Sequence, residues 1–267
     1  MRKSAQHPND FRALCAGFLS LAIALTCAGC PPKVIRVAVS NEDLIKSSEA
    51  SSEGDAAFSR KDYYPALIKY LEASRLNPNN EFLLNRLGIT YSQLKLYDDA
   101  VNAFLRSIAL NPKYSYSVNN LGAAFFARKD HKKAEKCFKK AIKMKGDEAS
   151  FYMNLGVLYF EKRKRDKAIA EWRKGLSIDP NILTKSNAIS LAVEGDNSSQ
   201  KDKHYFMARL FAAAGNADKA IESLQQAFLN GFTDIGSIQK QPDFDPIRKD
   251  ERFVEFMKNA PLWIKPR

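Results

Sequence analysis

The sequence predicts an all-α fold, a solenoid of stacked antiparallel helix pairs, on three observations. Gly54, Gly88, Gly122 and Gly156 stand 34 residues apart three times over. At fixed offsets behind each glycine come an alanine (Ala66, Ala100, Ala134, Ala168), a large aromatic (Tyr70, Phe104, Phe138, Trp172) and a second small residue (Ala73, Ser107, Ala141, Gly175). Pro78, Pro112 and Pro180 close three of the four units. A period of 34 is too long for one helix or one hairpin, so it marks a repeated supersecondary unit. Small residues where two helices approach, and bulky ones between one pair and the next, fit helix pairs packed tightly at a crossing.

These offsets, with Tyr63 and Tyr97 in the turn between paired helices, resemble the tetratricopeptide repeat over residues 47–180. Residues 87–91 (LGITY) and 155–159 (LGVLY) are similar to the family's first helix, and residues 166–172 (DKAIAEW) to its second. The resemblance implies a right-handed superhelix whose usual business is binding other proteins.

Length and composition are consistent with that. The 267 residues suffice for one solenoid or two small domains. Lys plus Arg outnumber Asp plus Glu by 42 to 30, a net charge of +12, which suits a folded body with a taste for acidic surfaces.

Residues 1–29 read as an export signal. Arg2, Lys3 and Arg12 make a basic start, interrupted by Asp10, and residues 13–30 carry no charge around the apolar run FLSLAIALT. The ending Ala28, Gly29, Cys30 resembles a bacterial lipobox, with Cys27 where a leucine is usual. The resemblance implies that Cys30 is the lipidated first residue of the mature chain. Ordinary cleavage near Ala28 and an uncleaved anchor are the alternatives. The mature protein is then expected to be an exported lipoprotein, held by a lipid anchor at a membrane of the bacterial cell envelope, on its periplasmic or surface side. Cys137 is the one thiol left, so no internal disulfide forms, and its place beside Phe138 reads as a small residue at a helix contact.

Residues 30–40 form the lipidated N-terminus and linker, and Ser40 with Asp43 reads as a capping box that starts a helix near Asn41. Residues 41–180 hold four repeats. The first has Glu53 where a leucine is expected and Ala57 in place of a tyrosine, as suits a terminal unit with one side in solvent. Asp98 and Asp99 fall in the first turn of a second helix, where its dipole favours negative charge. Gly146 replaces the third closing proline and is expected to end its helix in a left-handed C-cap.

After Asn181 the period fails, the next second-helix alanine, Ala220, coming 18 residues late. Residues 181–203 read as an irregular insertion, a partial helix or arm followed by a polar loop at 194–203. Residues 204–232 form a degenerate fifth repeat with Ala208, Gly215, Ala220, Leu224 and Ala227 at repeat offsets. Residues 233–267 read as a C-terminal capping segment. There Asp245 caps a helix with Pro246 at its first position, and Ile247, Val254 and Met257 share one face.

The chain offers little for catalysis. His7, His131 and His204 do not pair at a metal-binding spacing, no glycine loop cradles phosphate, and the serines at 47–52 have no histidine nearby. The sequence therefore points to no catalytic residue, metal or cofactor. The resemblance instead implies a concave groove lined by the first helices, at offsets −6, −3, +1 and +4 from each glycine. These positions are Phe82, Asn85, Ile89 and Ser92 in the second repeat, and Tyr116, Asn119, Ala123 and Phe126 in the third. In the fourth they are Ser150, Met153, Val157 and Phe160. Such a groove is apolar and aromatic, with asparagines able to hydrogen-bond a peptide backbone. Burial of some of these residues under neighbouring helices is the alternative.

Ile89 and Ala123 stand where the carboxylate clamp of chaperone-binding relatives needs polar groups, so a free C-terminal carboxylate is not the expected ligand. The expectation is a non-enzymatic scaffold that binds an unidentified protein partner, with no small-molecule substrate.

The second helix of the third repeat is dense in lysine. Lys132, Lys133, Lys136, Lys139, Lys140, Lys143 and Lys145 surround a stripe of Ala134, Cys137, Phe138 and Ala141, and residues 162–165 with Lys167 add a second cluster. A solvated outer face accounts for this pattern. The alternative function is a basic solenoid that binds an anionic polymer or membrane surface. No aromatic residues interleave the lysines, so nucleic acid is not expected.

Overall fold

The computed structural model describes residues 36–182 and 199–263, and among these there is no strand. Five antiparallel helix pairs follow one another in these residues: α1 (Asn41–Ser59) with α2 (Tyr63–Leu76), α3 (Glu81–Gln93) with α4 (Tyr97–Leu110), and α5 (Ser115–Ala127) with α6 (His131–Met144). Then come α7 (Ala149–Glu161) with α8 (Arg165–Ile178), and α9 (Gln200–Ala213) with α10 (Ala217–Leu229). A short helix α11 (Ile235–Lys240), a 3-10 turn (Pro242–Ile247) and α12 (Glu251–Trp263) end the described chain. The result is an all-α superhelix of stacked helix pairs.

Each pair is drawn together by the glycine and the aromatic sixteen residues later. A methyl group on Gly54 would stand 2.7 Å from the Tyr70 ring, on Gly88 2.5 Å from Phe104, and on Gly122 2.8 Å from Phe138; on Gly156 it would be closer still to Trp172. Only a residue without a side chain lets these rings lie across the partner helix. The alanines on the second helices (Ala66, Ala100, Ala134, Ala168) are wholly buried. In the fifth pair the crossing is Ala208 over Leu224, both wholly buried, so a smaller partner makes room for a methyl group.

The turns between paired helices carry a feature the sequence reading missed. Lys61, Lys95, Lys129 and Arg163 all adopt the left-handed conformation, with φ between 59° and 66°, and Gly215 does so at the same offset in the fifth repeat. Each ends its helix in a Schellman motif. In the first, the Lys61 N–H donates to the Phe58 carbonyl and the Asp62 N–H to Ala57; in the second, Lys95 donates to Ser92 and Leu96 to Tyr91.

Gly146, by contrast, is not left-handed. Helix α6 closes on an extended Lys145, as α4 and α8 close on Asn111 and Asp179, so the joint between repeats needs no glycine. Tyr63 and Tyr97 open α2 and α4 rather than sitting in the preceding turn.

Helix α1 starts as expected: Ser40 accepts from the Asp43 N–H at 3.1 Å and its hydroxyl donates to the Asp43 carboxylate at 2.7 Å. The fifth pair starts earlier than expected. Ser199 caps α9 at Gln200, so residues 200–203 are helical and not loop. The stack continues across the insertion, because Phe206 of α9 packs on Phe160 and Trp172, with ring centroids 4.8 and 5.8 Å apart. Arg209 ties the same junction together, donating to Asp166 at 2.6 Å and to Asp243 at 2.8 Å.

The C-terminal segment covers the last pair through Phe244, Phe253, Phe256 and Ala260, all buried. Asp245 and Pro246 do not open its helix, since they lie within the 3-10 turn. Helix α12 starts six residues after Asp245, where Asp250 accepts from the Arg252 N–H. Val254 is 54% exposed and does not share the buried face of Ile247. Among the described residues no helix is long and apolar enough to cross a membrane. The expected signal, Cys30 and the arm at 183–193 lie outside the described residues.

Candidate functional site

Polar groups tie the first helices of adjacent pairs to one another in a repeating way. The Arg86 guanidinium donates to the Ser51 hydroxyl at 2.9 Å, the Asn120 amide to the Asn85 carbonyl oxygen at 3.0 Å, and the Asn154 amide to that of Asn119 at 3.1 Å. Donor and acceptor are 35 residues apart each time, so a residue two places before the glycine of one repeat reaches one three places before the glycine of the previous repeat. The ladder branches: Asn85 also accepts from the Ser117 hydroxyl at 3.1 Å, and Asn119 donates to Asn120 at 3.3 Å. Asn85 and Asn119 are therefore buried struts between repeats, 6% and 5% exposed, and their side-chain carbonyls are already occupied.

The apolar positions divide as well. Met153 and Phe160 are buried in the core, Phe160 beside Trp172 and Phe206, and Met153 with its carbonyl accepting from the Trp172 indole at 2.9 Å. Ile89, Val157 and Phe126 are partly buried against the same core. Phe126 lies edge-on to His131, and the Ser92 hydroxyl donates back to the Gly88 carbonyl. Ala123 is exposed, and Phe82 is 54% exposed.

Phe82 opens a row of rings that crosses from one repeat to the next. It meets Tyr114 edge-to-face at 5.0 Å, Tyr114 meets Tyr116 at 5.8 Å, and Tyr116 meets buried Phe151 at 5.5 Å. Tyr114 was not among the sequence-derived groove residues, because it precedes the first turn of α5 at no regular groove offset. Tyr116 is held by charge: its hydroxyl donates to Glu148 at 2.6 Å and accepts from the Lys145 ammonium at 2.7 Å. Burial alone would raise the Glu148 pKa, but hydrogen bonds from Tyr116, Ser150 and Lys145 outweigh it and hold the carboxylate below its ordinary range.

At the first-repeat end, a polar cavity of about 280 Å³ is lined by Ser47, Ser51, Asp55, Asn80 and Arg86, among others. Asp55 pairs with Arg86 at 3.0 Å and accepts from the Tyr70 hydroxyl at 2.6 Å, so burial and this carboxylate together push the Tyr70 pKa up. Among the described residues no group of three His, Cys, Asp or Glu side chains is placed to hold a metal ion. Burial raises the Cys137 pKa to about 11, leaving a protonated thiol packed against the crossing at Gly122.

This architecture agrees with known proteins. Tetratricopeptide-repeat family profiles match residues 83–114, 116–147 and 149–182. The chain thus carries tetratricopeptide repeats, and its fold is the superhelix they build. It is 36% identical over 63 residues to the small glutamine-rich tetratricopeptide repeat-containing protein 2 of Mycosarcoma maydis, a match covering 24% of this chain and 18% of that protein. It is 38% identical over 56 residues to the Hsp70-Hsp90 organizing protein 3 of Arabidopsis thaliana, covering 21% of this chain and 10% of that protein. Both matches thus span less than a fifth of the relative. Among solved structures, a thermophilic TPR protein of Thermus thermophilus aligns over 81% of this chain and 99% of its own, with TM-score 0.50 and 18% identity.

Proposed function

We propose that the protein is a non-enzymatic scaffold that binds a segment of a partner protein along the concave face of its repeats. The observation that carries this reading is Phe82, an apolar ring left 54% exposed on a first helix and braced edge-on by Tyr114. Binding energy concentrates in aromatic anchors held rigidly in this way. Arg86 on the same helix and exposed Ala123 on α5 would add polar and shallow apolar contacts, whereas Asn85 and Asn119 tie adjacent repeats together. The name of the Arabidopsis relative points to chaperones as the proteins it organizes. Ile89 and Ala123 lack the polar groups that a terminal carboxylate needs, so an internal segment is the better ligand here.

The reading extends to the cell. Acylation at Cys30 would hold the scaffold at a membrane of the bacterial envelope, on the strength of the apolar run and the Ala-Gly-Cys ending. Replacing Cys30 with alanine should then abolish fatty-acid labelling, and a variant that still labels and sediments with membranes refutes the anchor. For the groove, a photo-crosslinking side chain at position 82 in intact cells should give a discrete adduct that Ala123→Arg removes. Adducts that appear only from position 136, on the outer helix, would overturn the reading.

A further inference from the structure

The seven lysines around α6 do two different jobs. Lys133 pairs with Asp130 at 3.1 Å, Lys139 with Glu135 at 2.8 Å, and Lys145 with Glu148 at 3.5 Å beneath Tyr116. Glu135 is also held by Lys162 at 2.8 Å, and these two lysines lower its pKa to about 2, so no negative charge is left over there. Lys132, Lys136, Lys140 and Lys143 remain. All four are exposed, and none has a carboxylate partner among the described residues.

Their spacings of four, four and three residues put them on one line along the helix. That line is about 16 Å long at the α-helical rise. The other repeats show that the packing does not require it. At the same offsets the first repeat has Tyr64, Ile68, Glu72 and Arg75, the second Asp98, Asn102, Arg106 and Ala109, and the fifth Asp218, Glu222, Gln226 and Leu229. The basic face continues onto α8, whose exposed Lys167 flanks the Tyr159 ring together with Lys139 of α6, each ammonium 6.0 Å from its centroid.

We propose that this face of the third repeat docks on an anionic lipid surface. The chemistry selects that partner. Among the described residues no large apolar side chain of α6 is exposed to anchor a protein or stack on a base. It is built of lysines, mobile point charges suited to many diffuse headgroups, and not of arginines placed for bidentate pairing. The four lysines lie on α6, whereas the proposed groove residues lie on first helices, so the two surfaces share no residue.

The test uses the full-length chain with sedimentable vesicles of phosphatidylcholine, with and without phosphatidylglycerol. The readout is the ratio of the two partition coefficients, which cancels whatever the N-terminal apolar segment adds to both. Each lysine near an anionic surface contributes on the order of fivefold, so four of them are expected to give a wild-type ratio of about several hundredfold. It should collapse at 1 M salt, where screening acts within about 3 Å. Replacing Lys132, Lys136, Lys140 and Lys143 together with glutamine should bring the ratio close to one, with helicity unchanged by circular dichroism. Replacing them with arginine should keep it, and the pairs Lys132/Lys136 and Lys140/Lys143 should each remove part. A glutamine variant with the wild-type ratio overturns the proposal, as does a wild type indifferent to phosphatidylglycerol. Tighter lysine-dependent binding to polyglutamate than to vesicles of equal charge would assign the face to an acidic protein instead.

Discussion

Replacing Gly88 with alanine tests the packing rule on which every repeat depends. The added methyl would lie 2.5 Å from the Phe104 ring, which is 1% exposed and enclosed by the core. Ordinary carbon contacts are about 3.5–4.0 Å, so the ring or the helix must shift by roughly an ångström. Alanine gains about 0.5–1 kcal/mol over glycine inside a helix, but overpacking a rigid core costs about 1–3 kcal/mol. The net expectation is a loss of about 1–2 kcal/mol. Phe104→Leu alone should cost a similar amount by leaving a void.

The double variant recreates the pair that the fifth repeat already uses, Ala208 over Leu224, both without exposure. It should be no less stable than the worse single variant, a coupling of at least about 1 kcal/mol. Urea unfolding of the four proteins, compared at fixed m-value, measures this directly. Additivity within about 0.5 kcal/mol would mean that glycine and ring do not share one space, and the explanation of the 34-residue period would fall.

Three further outcomes follow from the structure. Lys95→Gly should raise stability by about 0.5–1 kcal/mol in urea unfolding, because a lysine held at φ 60° is strained where glycine is not; a loss would show that the side chain matters more than the backbone. Asn85→Ala should lower stability by about 1–3 kcal/mol by stranding the donors of Ser117 and Asn120, whereas Phe82→Ala, at an exposed site, should stay within about 0.5 kcal/mol. The Glu135 carboxylate is held down to about 2 by Lys139 and Lys162, against an ordinary 4.5, so its contribution is present above pH 4.5 and fades as pH falls towards 2. The gap in urea midpoint between wild type and Glu135→Gln should shrink over that interval, and a gap independent of pH would refute the coupling.

The packing positions were legible because each recurs at one offset in every repeat and only one physical demand acts on it. Space between helices at the crossing admits glycine opposite a ring or alanine opposite leucine, and both solutions can be read from the letters. The left-handed turns were hidden for the opposite reason. Four of the five hold lysine or arginine, whose identity reveals nothing about φ, and only Gly215 carries the usual signal. The common basic character at that position fits a long side chain that can leave the turn for water. Gly146 misled because glycine permits a left-handed C-cap without requiring one. The capping helix was placed too early because Asp-Pro starts a 3-10 turn as readily as an α-helix.

The burial of the first-helix residues was only partly legible, and the asparagines explain why. A polar side chain on a first helix can face a ligand or the neighbouring repeat, and its own offset does not distinguish the two. The distinguishing signal lies between residues. Ser51 with Arg86, Asn85 with Asn120, and Asn119 with Asn154 are polar pairs one residue longer than the repeat, which is the register at which adjacent first helices touch. In the fourth repeat Met153 occupies the acceptor's place and is buried against the Trp172 side of the pair, so the ladder ends where the apolar core takes over. What remains exposed on the first helices is what the repeat does not bury or bond for its own stability. Phe82 is the largest such group among the sequence-derived groove residues, and an exposed ring that contributes little to folding is the kind of residue whose presence a binding role explains.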